Sequence, residues 1–467
     1  MCRAFRACLP IRPCYFDTHA DLAHPEAVKP FGLPTPADWH HLWRAWDTVT
    51  LGMIPSAMLH TKPIDLRHVC VFYIGHIPMF LDMLLSKTLE EDLSEPRYFK
   101  DIFERGIDPN IDDPEHCHPH SIVPTRAEDW PTLATILQFR DTVRSRLLSI
   151  YQDVEGGKRA MTRRLARTIV LCLEHEGFHV ETLLYMLLQR AGSGTIPPPG
   201  PVPPFEALAK QWAAAPAPCA ERAVLGPAEV ELGHDDQENE DLLENVHEFE
   251  NHEFGWDNES PRRVVQVGKV EFEWRPVSNG EFRAFLEREA TKEESKVKMP
   301  ASWVEEDGQV KVRTLYGPVA FHIAEHWPVL TSYDNLFAYA QSKGGRLPTE
   351  PELRLFLDKY EVGYEGGGNV GFRNWHPVPS TMGIMDVDGG RGSNGGVWEW
   401  TSTLFDGHDG LDPTTLYSTD FFDEVHHVVL GASYATIPRL AGRRTLRNFY
   451  QHNYPYPWVA GRIVYDA

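Results

Sequence analysis

Two histidines four residues apart, His175 and His179, are the residues of this sequence best placed to do chemistry. They lie in the stretch LCLEHEGFHVETLL at 171–184. Positions i and i+4 share one side of a helix, so both imidazoles can bind the same metal ion. The flanking residues are apolar nearly all round, which predicts a buried helix. Two buried imidazoles without partners are costly, so the spacing predicts a metal site rather than two core histidines.

A third ligand is available in the stretch YIGHIP, which places His76 among apolar residues of another predicted helix. Pro78 removes the backbone hydrogen bond to Ile74 and predicts a bend near His76. If His76 faces His175 and His179 across a helical bundle, the three imidazoles form one site. Such a nitrogen-rich site suits iron, zinc or copper and leaves positions open for substrate and for oxygen or water.

The same residues also spell His175-Glu176-x-x-His179, the signature of zinc proteases. A zinc protease takes its third ligand from a defined downstream motif. The sequence downstream is instead a linker rich in glycine and proline. A zinc protease is therefore a remote alternative.

That linker, GSGTIPPPGPVPP at 192–204, divides the chain, because its prolines and glycines disfavour both helix and central strand. Before it, long stretches of mixed apolar and charged residues predict four bundled helices. These span roughly Ala37–Ser56, Asp65–Leu89, Trp130–Tyr151 and Thr162–Gln189. After it, short apolar runs alternate with glycine-rich turns.

The second half contains two predicted helices, Asn279–Glu289 and Glu350–Tyr360. The second opens with a capping box in which Thr349 precedes a first-turn proline. The whole chain is thus predicted to be α+β. Its predicted divisions are an N-terminal tail (1–36), a helical bundle (37–191), a linker (192–220) and a C-terminal domain (221–467).

Composition excludes several classes of protein. The chain has 467 residues, with 45 Lys plus Arg against 67 Asp plus Glu, and a formal net charge of −22. This charge disfavours binding to nucleic acid. The mean hydropathy is −0.36, and no apolar run has the length of a membrane span. The seven cysteines are sparse and all precede residue 220, which suits a reducing compartment and predicts a cytoplasmic protein.

The motifs resemble those of a known enzyme family. The YIGHIPMFLD stretch and the pattern His175-x3-His179-x-Glu181 resemble the DinB-like helical domain of the ergothioneine sulfoxide synthases. The second half resembles the formylglycine-generating-enzyme-like domain, which has a C-type-lectin-like fold. The motifs that carry this second resemblance are GGRLPTEPEL (344–353), GFRNWHP (371–377), GGVWEWTS (395–402) and the segment 430–464. The resemblance runs from about Asp38 to the C-terminus and is closest to the part of the fungal enzymes that follows a methyltransferase module.

The resemblance implies that His76, His175 and His179 hold a non-haem Fe(II). It implies a hercynylcysteine sulfoxide synthase, whose small-molecule substrates are hercynine, cysteine and O2; the oligomeric state stays open. The alternatives are the same chemistry on another imidazole and a sulfur or selenium donor, or a non-catalytic paralogue. Formylglycine generation is excluded, because no cysteine follows Cys219 to supply the copper-binding pair.

The resemblance also implies roles for residues of the C-terminal domain. Asn448, Phe449 and Tyr450 match the segment that contacts hercynine in the family, and their aromatic rings suit a quaternary ammonium. Tyr417 is the candidate for the catalytic tyrosine near the iron. Phe178 stands where many bacterial relatives have a glutamine that contacts the substrate imidazole.

Two questions about charged residues remain at this level. Glu181 is six residues from His175 and two from His179, so on a helix it faces away from both and is expected to support the site rather than bind metal. Three arginines lie near the hercynine segment and are candidates to bind a substrate carboxylate, without a basis for choosing among them: Arg439, Arg443 and Arg447.

Overall fold

The structure is a computed structural model that describes residues 31–108, 118–119, 121–214, 222–242, 252–380, 395–414 and 419–467. Its α-helices are α1 (Pro36–Asp47), α2 (Cys70–Leu89), α3 (Phe99–Phe103), α4 (Leu133–Glu155), α5 (Arg163–Leu188), α6 (Phe205–Ala213), α7 (Asn279–Glu289), α8 (Phe321–Ala324), α9 (Tyr333–Ser342), α10 (Glu350–Tyr360) and α11 (Pro438–Ala441). Its strands are β1 (Ile107–Asp108), β2 (His118–Pro119), β3 (Arg222–Leu225), β4 (Ala228–Leu232), β5 (Arg263–Val267), β6 (Val270–Glu273), β7 (Trp303–Glu306), β8 (Gln309–Val312), β9 (Val319–Ala320), β10 (Trp398–Leu404), β11 (His426–Gly431), β12 (Asn448–Gln451), β13 (Val459–Ala460) and β14 (Val464–Asp466).

The N-terminal half is a bundle in which α1, α2, α4 and α5 are the long helices, as the sequence predicted. Threonine side chains cap three of them: Thr35 at α1, Thr132 at α4 and Thr162 at α5. Helix α2 packs against both α4 and α5. It is long and apolar enough to cross a membrane, but 78% of its most apolar window is buried inside the protein, as in the core helix of a bundle.

Helices α2 and α5 run antiparallel, and this arrangement positions the metal-site candidates. At one end of the pair, the hydroxyls of Thr88 and Thr168 are 2.7 Å apart. At the other end, Arg67, just before α2, donates to the Tyr185 hydroxyl at 3.4 Å. The middle of α2, which carries His76, therefore faces the middle of α5. Helix α2 continues through Pro78 as a single element.

The C-terminal half mixes short helices with small sheets. The largest sheet has the order β12-β11-β10-β13, and a second has the order β14-β6-β3. The predicted capping box of α10 is confirmed, with Thr349 and Glu352 bonding each other's backbone N–H groups.

Five of these helices were missed by the sequence analysis (α3, α6, α8, α9 and α11), of which α6 and α9 are the longest. Helix α6 lies within the stretch expected to be linker, because Phe205 and Trp212, seven residues apart, both pack on Trp327. Helix α9 begins at Tyr333, directly after Ser332, whose side chain caps it, and it buries Leu336 and Tyr339. In both cases a short apolar stripe is stabilised by tertiary packing that local sequence does not show.

The two halves pack tightly at α5. A Cβ added to Gly177 would lie 2.6 Å from Cδ1 of Ile437, so only glycine permits this approach. Ile437 directly precedes α11 of the C-terminal half. The helix that carries His175 and His179 is therefore buried against both halves of the chain.

Candidate metal centre

His76, His175 and His179 come together in the structure. Their ring centroids are 5.3 Å apart for His76 and His175, 4.8 Å for His76 and His179, and 4.5 Å for His175 and His179. The potential ligand atoms all lie within 4.8 Å of one another. Among the described residues, this is the one group of three or more histidine, cysteine or carboxylate side chains close enough to share a metal ion.

Neighbouring groups orient two of the imidazoles. Nδ1 of His76 lies 2.7 Å from the carbonyl oxygen of Phe103. A carbonyl only accepts, so Nδ1 carries the proton and Nε2 keeps its lone pair for a metal. The ring of Phe80 stacks on His175 with centroids 3.7 Å apart. These contacts restrict ring rotation before any ligand binds.

The protonation state of the site also suits a metal. Burial lowers the pKa of His76 to about 4. Burial, followed by the neighbouring imidazoles, holds the pKa of His175 well below its usual value. For His179, burial again comes first, and the charge of Arg67 also lowers the pKa. All three rings are therefore neutral near pH 7, which is the form that binds metal.

One nitrogen of this group supports the fit of a metal directly. Nδ1 of His179 is buried and has no hydrogen-bond partner among the described residues. A buried polar atom without a hydrogen-bond partner costs free energy unless a ligand satisfies it. The donor set of three neutral imidazoles fits a divalent iron, zinc or copper ion.

An accessible stripe runs along α5 at the metal site. The central part of α5 is buried, but His175, Phe178, His179 and Thr182 are only half-buried. These positions are separated by three or four residues and so lie on one side of the helix. Phe178, whose ring centroid is 6.2 Å from that of Trp256, thus borders the same opening as the imidazoles.

Two carboxylates on α5 attach the metal-binding turn to the C-terminal half. Glu181 accepts hydrogen bonds from the Trp398 indole at 2.7 Å and from the Thr436 hydroxyl at 2.6 Å. Glu174 accepts from the Trp256 indole at 3.0 Å and from Arg439 at 3.0 Å. The pair of histidines therefore lies between two anchored positions of one helix.

The three arginines near the proposed hercynine segment are all paired with carboxylates. Arg443 is fully buried between Glu174 and Glu259. Arg439 also pairs with Glu174, and Arg447 donates to Glu350 at 2.6 Å. These guanidinium groups hold the two halves and the C-terminal loops together.

The segment Asn448–Tyr450 lies in β12, where successive side chains point to opposite faces. Phe449 stacks on Phe405 with ring centroids 3.9 Å apart, within the core of the C-terminal domain. Asn448 and Tyr450 share the other face, where the Asn448 amide donates to the Tyr450 hydroxyl at 3.3 Å. Tyr450 contacts Tyr185 of α5, with ring centroids 6.4 Å apart. Tyr417 lies outside the described residues.

Glu176 does not join the imidazoles, although it completes the zinc-protease signature. The Trp43 indole of α1 donates to its carboxylate, and the positive charge of Arg144 of α4 also acts on it. Burial, as the largest cause, raises the pKa of Glu176 to about 7. The carboxylate is therefore directed into the bundle, away from the position of a general base at the metal.

We expect Glu176→Gln to leave catalysis intact and to stabilise the protein at alkaline pH. The folded-state pKa of Glu176 lies above its ordinary value of 4.5, so the neutral form is favoured in the fold and stability is lost as pH rises from 4.5 to about 7. At pH 8 the neutral amide should raise the free energy of unfolding by up to roughly 3 kcal/mol. Urea unfolding at pH 5 and pH 8 measures this difference. Peptide cleavage by the zinc-loaded protein that is lost in Glu176→Gln would instead favour the protease alternative.

Comparisons with known proteins agree with the division into two halves. The DinB superfamily matches residues 35–183, and the sulfatase-modifying factor enzyme 1-like domain matches residues 242–467. Ergothioneine biosynthesis protein 1 of Neurospora crassa is 36% identical over 95% of this chain and 59% of its own length. The protein of the same name from Schizosaccharomyces pombe is 35% identical over 92% of this chain and 56% of its own length. Hercynine oxygenase of Mycobacterium tuberculosis is 27% identical over 45% of this chain and 56% of its own length.

The chain thus spans a little over half the length of the curated fungal relatives that it matches. Its two matched domains occur in the order that the sequence motifs predicted, and the predicted α+β fold class is confirmed.

Proposed function

Because this chain belongs to the family of proteins that join a DinB-superfamily domain to a sulfatase-modifying factor domain, as its similarity to the ergothioneine biosynthesis proteins indicates, we propose that it is an Fe(II)- and O2-dependent sulfoxide synthase. The proposed reaction joins hercynine and cysteine to give hercynylcysteine sulfoxide and water. It removes the imidazole C–H and the thiol S–H hydrogens, forms the C–S bond, and places one oxygen atom of O2 on sulfur and the other in water. The cytoplasm is the proposed location.

The observation that carries this proposal is the cluster of three neutral imidazoles, two of them oriented by neighbouring groups, beside the half-buried side of α5. His76, His175 and His179 would hold the iron. Bound there, Fe(II) supplies the one-electron chemistry that ground-state O2 requires. The residues of the chain would bind and orient the substrates, next to the apolar rings of Phe80 and Phe178.

Asn448 and Tyr450 are proposed to contact hercynine. Both lie on the face of β12 that faces α5, and an aromatic face attracts a quaternary ammonium. The ring of Phe449 belongs to the core of the C-terminal domain, so its proposed effect on hercynine is through the placement of β12. Tyr417 remains the proposed catalytic tyrosine, which would donate a proton during the reaction.

Oxygen consumption by the iron-loaded protein tests the proposed function. With hercynine and cysteine together, we expect one O2 consumed for each hercynylcysteine sulfoxide detected by mass spectrometry. Histidine in place of hercynine, and γ-glutamylcysteine or selenocysteine in place of cysteine, should compete poorly. If another pair is consumed preferentially, the substrate assignment is wrong while the iron chemistry stands. If no pair is consumed, the enzyme assignment itself fails.

A further inference from the structure

A row of stacked rings leads along α2 to the candidate metal ligands. Phe72, His76 and Phe80 follow one another at intervals of four residues, so their rings lie along one side of the helix. Phe72 stacks on His76, with ring centroids 5.4 Å apart and an angle of 17° between the planes. Phe80 stacks at the same angle on His175 of α5, with centroids 3.7 Å apart. The row therefore passes from the helix with one candidate ligand to the helix with the other two.

The Phe80 ring lies almost directly over the His175 ring. Aromatic pairs usually adopt offset or edge-to-face arrangements, with centroids about 4.5–7 Å apart. The pair of Phe72 and His76 falls within that range, whereas the centroids of Phe80 and His175 are closer. Carbon atoms of stacked rings cannot approach much below about 3.5 Å, so the two ring centres are displaced sideways by only about 1 Å. One whole face of the His175 imidazole is thus covered by a phenyl face.

This arrangement depends electrostatically on what the imidazole binds. The face of a phenyl ring carries partial negative charge, so it stacks poorly on another electron-rich face and attracts a positively charged group. An imidazole that gives its lone pair to a divalent ion loses electron density and takes on part of the positive charge of the ion. The contact between Phe80 and His175 should therefore be stronger when His175 holds a metal than when it does not.

The packing around Phe80 keeps this ring in place. Its side chain is half-buried and packs against the hydrophobic core of the bundle. Its centroid also lies 6.3 Å from that of His76, four residues earlier on the same helix. His76 itself is held by the hydrogen bond of its Nδ1 to the carbonyl of Phe103. Phe80 thus relates the plane of His175 to a ligand on the other helix whose orientation is already fixed.

We propose that Phe80 is a positioning residue of the metal centre, whose ring orients His175 and stabilises the positive charge that this imidazole gains on binding a divalent metal. This inference rests on the proposed function, since the metal belongs to the proposed centre. It also has a redox consequence. Ferric iron places more positive charge on its ligands than ferrous iron does, so the Phe80 ring should favour the ferric state and lower the reduction potential of the bound iron.

Graded fluorination of the Phe80 ring in the full chain tests the proposal. Mono-, di- and trifluorophenylalanine at this position keep the ring, while each added fluorine withdraws electrons from its face. Cobalt(II) is titrated into each protein, and binding is followed by the visible absorption of the bound ion. We expect the affinity to fall stepwise along the series, by about 2- to 30-fold in total, which is the range for a cation over an aromatic face. The potential of bound iron, measured without substrates, should rise along the same series.

Two control proteins separate electron withdrawal from bulk and from general effects of fluorine. Para-methylphenylalanine in place of Phe80 adds volume without withdrawing electrons, so its cobalt affinity should match wild type. Trifluorophenylalanine in place of Phe139 changes a buried ring of the same bundle, which packs on Phe99 with centroids 5.1 Å apart and lies outside the metal group. This protein should also bind cobalt like wild type. Phe80→Leu, which keeps an apolar side chain without a ring, should have an affinity at least as low as the trifluoro protein.

The possible outcomes distinguish this inference from the proposed function. If wild type binds cobalt and iron but neither affinity nor potential changes along the fluorine series, the role of Phe80 is wrong and the proposed function stands. If the methyl and trifluoro proteins lose affinity equally, the ring acts only through its shape and the electrostatic role is wrong. If wild type binds neither metal, the proposed function itself fails.

Discussion

His175→Ala is expected to lose bound iron and to abolish oxygen consumption. The substitution removes one of three ligands from a site whose donor atoms lie within 4.8 Å of one another, and the alanine leaves a buried space next to Phe80. Loss of a supporting partner alone costs about 10- to 100-fold in metal affinity, so loss of a direct ligand should exceed that. Metal analysis after gel filtration, together with the oxygen electrode, measures both effects.

His376→Ala is the control for the loss of a buried imidazole. His376 stacks on Trp327 with ring centroids 5.4 Å apart, in the C-terminal half, and is outside the metal group. This variant should be less stable than wild type but should retain its iron. If His175→Ala keeps stoichiometric metal, the ion is held elsewhere and the proposed centre is wrong.

How much of this metal centre could be predicted from the sequence depends on how far apart in the chain the interacting residues lie. The pairing of His175 with His179 is a consequence of helical periodicity and needs no tertiary information. His76 joins the metal site only because α2 packs antiparallel on α5. The apolar character of both helices indicated that they pack together, but it did not specify their relative direction. A period of two in β12 would have separated Phe449 from Asn448 and Tyr450, and this signal was available in the sequence.

The contacts between the two halves could not be predicted in the same way. Glu174 and Arg443 are 269 residues apart in the sequence. Nothing in the residues next to either one distinguishes it from a charged residue on the protein surface. The same holds for Arg67, which is separated from Tyr454 by 387 residues. Local patterns identify which side chains can bind a metal, whereas the long-range packing of the chain decides which charged side chains pair with one another.

Arg443→Ala should cause the largest loss of stability of any single charge substitution proposed for this chain. The guanidinium is fully buried and bonds both Glu174 and Glu259, which are themselves fully buried. Its removal leaves two carboxylates without their main cation, and removal of one partner of a buried pair costs about 3–5 kcal/mol. Glu174 is adjacent to His175, so the iron affinity should also fall. Urea unfolding followed by tryptophan fluorescence measures the first effect, and metal titration the second.

The neighbouring Arg444 provides the comparison that separates burial from charge. Its side chain is 37% exposed and pairs with Asp358 at 2.7 Å on the surface. Exposed ion pairs of this kind contribute about 0–1 kcal/mol to stability. The free energy of unfolding of Arg444→Ala should therefore differ from that of wild type by no more than this amount, and the variant should keep its iron. Equal losses in the two variants would mean that the buried network does not hold α5 against the C-terminal half. A loss confined to Arg443→Ala would show that the metal-binding turn depends on contacts from the second domain.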